Sequence, residues 1–449
     1  MKKLKSTLTL ITILVSSVYL HAQTRLTAGP IQFDLIEVDS KFTSEGIGVG
    51  DMDKDGDSDL FVGDYWYESP GKSYVGTWIK HEMRQPQADG NLDIHSYSQC
   101  HGAFMGDFNN DGYPDPLIVP IHGGEPTWYE NPKGLKTNKR WTAHTLGYHY
   151  GMEQSWWGSI DGSGKKSLVT SNVADYSWSY WTPDASGKFL ETKISGPNAP
   201  KTGNNDHGMG LSDVNGDGRP DLIIQVGWYE NPGSTTLWKY HPVLFRDHSE
   251  FSHIWTYDFN KDGRLDLITA SSHDKGIWLI SQTAPDVWKD STINNSYKTN
   301  HALVMADLDL DGIPDVISGK RMWAHSGPED GVDVGLYWIK VTPGATPKFD
   351  LHFIKPQNAG VGTQFEVMDI NGDKFPDIVV SNKTGTKMYL QVPRGNVAIS
   401  TLQSASTPGH NRSLKLTSDG VMAVSPFWDS RILNSLDGKR LPLINPPLP

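Results

Sequence analysis

The sequence predicts an all-β protein: a seven-bladed β-propeller of four-stranded blades, its ring closed by an N-terminal strand. Three observations carry that prediction. First, one acidic loop, D-x-[DN]-x-D-G-x-x-D, recurs at Asp51, Asp107, Asp213, Asp258, Asp307 and Asp369. A decayed copy, "SWWGSIDGSGKKSLVTS", stands at Asp161 with Lys165 and Ser167 where acids belong. The seven units lie 45 to 62 residues apart, a period that holds four short strands. Second, the same apolar runs flank every loop. Third, Gly (45) and Trp (16) are abundant, as many tight turns and aromatic packing demand.

The elements follow in order. Residues 1–22, "MKKLKSTLTLITILVSSVYLHA", place Lys2, Lys3 and Lys5 before an apolar run from Leu8 to Leu20. That reads as a secretory signal peptide, too short in its apolar run to span a membrane. Residues 23–392 form the propeller. Before each loop a short run such as "HGAFMG", "HGMGLS" or "HALVMA" gives the innermost strand A; after it "DLFVG", "DLIIQ" or "DVISG" gives strand B. Strand C reads "YWYESPG", "TWYENPKG", "GWYENPG", "GIWLIS" or "GLYWIK", and strand D "GTWIKHEM", "KRWTAHTL", "TLWKYHPV", "DVWKDSTI" or "KFDLHFI". "IQFDLIEVD" (Ile31–Asp39) looks like a strand D with no blade before it, and the last unit has only A, B and C. The N-terminal strand therefore completes the last blade. Residues 393–449 are an unassigned C-terminal extension.

Composition excludes several classes. The chain has 449 residues with a net charge of -12, the wrong sign for nucleic acid. Cys100 is the only cysteine, so neither an intrachain disulfide nor a thiolate zinc cluster forms. With the signal peptide, the expected location is outside the cytoplasm, periplasmic or secreted, with no membrane span.

The loops offer oxygen ligands at positions 1, 3, 5 and 9. These are Asp51, Asp53, Asp55 and Asp59; Asp107, Asn109, Asp111 and Asp115; Asp213, Asn215, Asp217 and Asp221. They continue as Asp258, Asn260, Asp262 and Asp266; Asp307, Asp309, Asp311 and Asp315; Asp369, Asn371, Asp373 and Asp377. Calcium takes six to eight such oxygens. An EF-hand needs a Glu at position 12, where this chain has Val62, Ile118, Ile224, Thr269, Ser318 or Val380. These are strand-loop-strand calcium sites, and their repetition on every blade assigns them a structural role.

The opposite face differs. Six residues before each loop the chain reads Glu45, His101, Ser155, His207, Ser252, His301 and Thr363, with His253 and Gln364 one residue on. The B–C connections at that face carry His122, His273, Lys320, Arg321, Trp323, His325 and Lys383; the D–A connections carry His95, Tyr97, His149, Tyr150 and His248. Converging imidazoles suit zinc or another divalent metal, and acid–base chemistry near neutral pH. His101, His207, His253, His301, Tyr150 and Arg321 are the candidate catalytic residues. His95, His122, His273, Lys320, Trp323 and His325 are candidates for holding substrate. Trp66, Trp128 and Trp228 recur in strand C and read as packing.

Over about residues 31–392 the repeat resembles the FG-GAP/VCBS class of calcium-binding seven-bladed propellers, also found in integrin α chains. "HGMGLSDVNGDG", "GWYENPG" and "GKRMWAHSGPEDG" are similar to the propeller of aldos-2-ulose dehydratase and related secreted bacterial proteins. Those enzymes remove water from keto or anhydro sugars and carry cupin domains, for which the residues after Val392 leave no room. The resemblance implies a carbon–oxygen lyase, a dehydratase acting on a sugar or on the uronate end of an oligosaccharide. The alternatives are a non-catalytic propeller that binds glycans or proteins and a chain-cleaving polysaccharide lyase.

Overall fold

The computed structural model describes residues 24–136, 140–161, 163–200, 207–245, 250–324 and 333–393. The signal peptide, His248, His325 and the extension beyond Pro393 lie outside the described residues.

Seven antiparallel sheets follow one another along the chain, and their innermost strands contact in sequence. The first blade comprises Gly48–Gly50, Asp59–Val62, Tyr65–Glu68 and Ile79–Glu82; five more repeat the pattern up to Leu336–Thr342 and Lys348–Lys355. The seventh takes Glu366–Met368, Asp377–Asn382 and Gly385–Gln391 from the end of the chain and Ile31–Asp39 from its beginning. Phe33 pairs with Gln391 and Leu35 with Tyr389, so the expected closure is present. Thr24–Ala28 adds a fifth, outer strand to that blade, which the repeat pattern gives no reason to expect.

Each acidic loop is the hairpin between strands A and B. The residue before position 1 pairs with position 9: Gly50 with Asp59, Ser212 with Asp221, Ala306 with Asp315. Position 1 accepts two main-chain N–H groups, as in Asp55 to Asp51 at 3.0 Å and Gly56 to Asp51 at 3.1 Å. Position 6 turns the chain through left-handed backbone, at φ 94° for Gly56 and 88° for Gly218, which explains its glycine. The seventh blade departs here, with Lys374 at φ 75°.

The same register corrects the reading of the third blade. Gly158 pairs with Ser167, so the decayed loop starts at Ser159 and not at Asp161. Ser159 stands at position 1 and accepts the Gly164 N–H at 3.1 Å. Serines therefore replace acids at positions 1, 5 and 9, and Asp161 occupies position 3.

Position 9 ties the blade together. Asp115 accepts the Phe108 N–H at 2.9 Å and the Asn131 N–H at 2.8 Å, bracing the loop against the end of strand C. Asn131 then reaches across to the first blade, donating from Nδ2 to the Met52 carbonyl at 2.9 Å. Asn231 repeats this towards Ile160 at 3.0 Å, and Gln391 towards Leu308 at 2.9 Å. The Asn of "YENP" is thus a cross-blade staple. Its Trp and Glu are structural as well. Trp66, Trp128 and Trp228 stack on His81, His144 and His241 of strand D at 4.3, 4.1 and 4.0 Å. Glu68 and Glu230 bond His81 and His241, each at 2.8 Å. Each stacked pair contributes about 0.5–1.5 kcal/mol beyond its buried area.

Candidate functional site

The strand A starts meet at the histidine face through main-chain and amide contacts. Gly46 N–H donates to the Cys100 carbonyl at 3.0 Å and Thr363 N–H to the Glu45 carbonyl at 2.8 Å. Gln154 bonds the His301 carbonyl at 2.9 Å and the Gly208 N–H at 2.8 Å. The approach is close: a Cβ on Gly362 would lie 2.0 Å from the Glu45 carbonyl oxygen. Side chains pointing inward from these starts are forced into one small space.

With the third blade's register corrected, the residue six before its loop is Glu153, not Ser155. The position then reads Glu45, His101, Glu153, His207, Ser252, His301 and Thr363 around the ring. In the fifth blade, where it is Ser252, Glu250 stands two residues earlier, on the same side by strand alternation.

Arg321, from the B–C connection of the sixth blade, joins these groups. It is 1 % exposed. Its Nε donates to Glu45 at 2.8 Å, and its Nη1 lies 3.0 Å from Glu153 Oε2 and 2.7 Å from His301 Nε2. His207 Nε2 is 3.4 Å from the same Glu153 oxygen. His273 Nδ1 pairs with the Glu250 carboxylate. The rings of His207, His273 and His301 form a triangle with centroids 4.5, 4.8 and 5.3 Å apart. One donor atom from each of Glu153, His207, His273 and His301 lies within 4.8 Å of the others. Nδ1 of His207 and Nδ1 of His301 are buried without a hydrogen-bond partner.

The electrostatics keep Glu45 and Glu153 charged and His301 neutral. Burial opposes ionisation of Glu153, but Arg321 and then His207 outweigh it and hold the carboxyl well below its usual range. Burial likewise opposes ionisation of Glu45, and Arg321 and His101 overcome it. His301 is held well below the usual imidazole value by burial and then by Arg321. Burial also lowers His122.

The other expected residues fall as follows. His101 lies beside the cluster, its Nε2 3.3 Å from Glu45. Lys320 is buried next to Arg321 in the same connection. Trp323 turns through left-handed backbone at φ 51°, and its ring meets that of exposed His95 at 4.3 Å. Tyr97 fixes this loop by donating to the Ala324 carbonyl at 2.9 Å.

Three expectations are corrected. His253, one residue out of register, turns away and packs near Trp156, with ring centroids 6.3 Å apart; burial lowers it to about 4. Tyr150 is fully buried among hydrophobic side chains, and burial pushes its phenol well above the usual value. Arg321, expected to meet substrate, is instead consumed by Glu45 and Glu153. Glu153 and Glu250 were not among the expected residues; the third blade's correct register is the signal that finds the first.

At the other end of strand A, oxygens of Asp51, Asp53 and Asp59 lie within 4.8 Å of one another, as do those of Asp307, Asp309 and Asp311. Ammonium groups lean on both sets: Lys136 lies 2.9 Å from Asp53, and Lys340 lies 2.6 Å from Asp311. Burial and neighbouring acids push Asp59 and Asp315 up to about 8, and Asp115 and Asp221 to about 7.

Residues 258–318 match the FG-GAP-like repeat family, and the seven blades are those of a β-propeller. No curated protein matches the chain significantly. Similar solved structures include a lectin of Agrocybe aegerita with specific recognition of non-reducing terminal N-acetylglucosamine. It is 14 % identical, with 72 % of this chain and 83 % of that one covered and a TM-score of 0.44. YCF48 from Cyanidioschyzon merolae is 12 % identical over 79 % of this chain and 98 % of its own, with a TM-score of 0.41. The V. cholerae biofilm matrix protein Bap1 is 15 % identical over 57 % and 39 %, with a TM-score of 0.32. Among the described residues no helix is long and apolar enough to cross a membrane.

Proposed function

We propose that this FG-GAP-repeat propeller is an exported, carbohydrate-active carbon–oxygen lyase of the dehydratase type. Its substrate is a sugar, or the uronate end of an oligosaccharide, that carries a carbonyl next to the bond to be broken. The observation that carries the reading is the convergence of Glu153, His207, His273 and His301 within 4.8 Å, in a cluster that is not repeated around the ring. A packing motif has no need for buried imidazole nitrogens without partners.

Those four residues fit a divalent metal such as zinc: three imidazoles and a carboxylate, with His207 Nδ1 buried and unpartnered. When bound, the metal supplies a Lewis acid for a substrate oxygen. The chain's own residues do the rest. His122 and His273 are only partly buried, so a sugar reaches them while His207 and His301 stay beneath. His122, kept neutral by burial, takes the proton α to the carbonyl and returns it to the departing hydroxyl. Trp323 and His95 offer the sugar ring an aromatic wall at the mouth.

The six acidic loops fit calcium in a scaffolding role. Their ninth acids are buried and crowded by like charge, which a cation relieves.

Product masses from candidate oligosaccharides test the function. Loss of one water without chain cleavage is expected. Shorter fragments identify a chain-cleaving lyase, and binding without turnover by a metal-free protein identifies a non-catalytic propeller.

A further inference from the structure

Lys383 follows strand Asp377–Asn382 and points into the histidine face from the seventh blade. Its turn is locked. Asn382 donates to the Ala359 and Gly360 carbonyls at 3.3 and 3.0 Å, and its own oxygen accepts the Thr384 N–H at 2.6 Å. The residue is 4 % exposed, and among the described residues its amine makes one hydrogen bond, to the Trp323 carbonyl at 2.8 Å. It lies 4.9 Å from the centre of the Tyr97 ring, which Arg321 approaches at 5.4 Å. No described carboxylate stands at ion-pair distance, because Glu45 and Glu153 are already bound to Arg321.

A buried lysine is ordinarily paired with an acid. One that no described carboxylate pairs, beside a second cation and below an aromatic mouth, has the setting of an amine nucleophile. Burial first, and then the Arg321 charge, bring it down to about 8 against the pull of Glu45.

We propose that Lys383 forms a Schiff base with the carbonyl carbon of a keto or aldehydo sugar, which makes this a covalent lyase. The proposal rests on the carbonyl-sugar reading above and deepens it. The Nζ lone pair attacks the carbonyl carbon, and the resulting carbinolamine loses its hydroxyl as water to give an iminium. The positive nitrogen acidifies the neighbouring C–H, whose proton passes to an imidazole. The electron pair of that C–H bond forms the enamine. The enamine then expels the β-hydroxyl, which takes a proton as it leaves as water. Hydrolysis of the remaining iminium consumes one water and frees Lys383. The net change is loss of one water from the sugar, with no oxidant or reductant.

The test uses the full chain, D-arabino-hexos-2-ulose as a 2-keto aldose, and cyanoborohydride at pH 7, followed by peptide mapping. Lys383 should gain the sugar less one oxygen at least about tenfold faster than Lys239; the Lys239 side chain is 72 % exposed. Labelling no faster than at Lys239 overturns the proposal. Lys383→Arg keeps the charge and the bond to Trp323, so it should melt as wild type yet lose turnover of a carbonyl sugar by about 100-fold or more. Retained turnover rejects the nucleophile. Dehydrated product without an adduct sinks Lys383 and leaves the lyase; an adduct at Lys383 without dehydrated product does the reverse.

Discussion

His207 and Asp213 stand at the two ends of one innermost strand, Met209–Ser212, and their surroundings obey opposite rules. At the Asp213 end six blades carry acids at positions 1, 5 and 9, with position 1 in the same hydrogen-bond role. At the His207 end the ring reads Glu45, His101, Glu153, His207, Ser252, His301 and Thr363, with no repeat. The acids respond in opposite directions. Asp221, among other acids, is raised to about 7; Glu153, beside Arg321, is held well below its usual range. Both are buried, and burial raises a carboxyl: at Asp221 it prevails, with the neighbouring acids adding to it, whereas at Glu153 Arg321 overrides it. Repeated chemistry serves the scaffold that every blade needs. On the function proposed above, the chemistry that breaks the repeat is where one molecule is bound and changed.

The largest effect that would sharpen this contrast is chelation. If calcium fills the loops, EDTA should lower the melting temperature by about 10 °C or more, since one site saturated 100-fold over its Kd adds about 2.7 kcal/mol. An unchanged melt in protein shown to be stripped of calcium would break the structural half. His207→Ala tests the other half. It should cost about 100-fold or more in turnover and remove the transition metal, while the calcium-dependent melt stays put. Loss of the fold in that variant would mean that both ends of the strand are scaffold.

How much of this was legible in the sequence follows from the same division. The blades, the closure by Ile31–Asp39 and the acidic loops were readable because they repeat, and each copy corrects the others. His101, His207 and His301 were readable because they share a register with a strong loop. Glu153 was not. The third blade's loop had lost its acids, and the one that remained, Asp161, suggested a frame two residues too late. In a strand a slip of two keeps the facing and changes the residue, so Ser155 looked like a harmless equivalent. His253 failed in the converse way: a slip of one reversed its side chain. Arg321 was placed on the correct face, but its partners come from the first and third blades, far away in sequence.

His253 gives the next prediction. Its imidazole is held neutral by burial down to about 4, whereas an unfolded chain takes up the proton near 6.5. Above pH 6.5 both states are neutral and stability is full. As pH falls from 6.5 towards 4 the unfolded state binds the proton first, so stability is lost across that window. At about 1.4 kcal/mol per pH unit the loss is about 3 kcal/mol. Denaturation of wild type and His253→Leu at pH 7 and pH 4.5 should differ by a term of that order. Equal slopes would return His253 to a solvated position, close to the histidine face.

The smallest effect is expected where the repeat has decayed. Ser159, Ser163 and Ser167 hold positions 1, 5 and 9 of the third blade, and Ser159 still makes the position 1 bond to Gly164. The backbone of a cation loop therefore survives without its charges. Replacing the three serines by aspartate, beside the native Asp161, should restore the site. The variant should be less stable than wild type in EDTA, because Ser167 is buried and bonded to Thr182 at 2.6 Å, and an unpaired acid there has nothing to offset its burial. In calcium at about five times the Kd it should recover about 1 kcal/mol, read as one additional bound ion and a small calcium-dependent rise in melting temperature. If calcium neither binds nor stabilises the restored loop, acid spacing alone does not make these hairpins cation sites. The six intact loops would then owe their shape to the hydrogen bonds of positions 1 and 9.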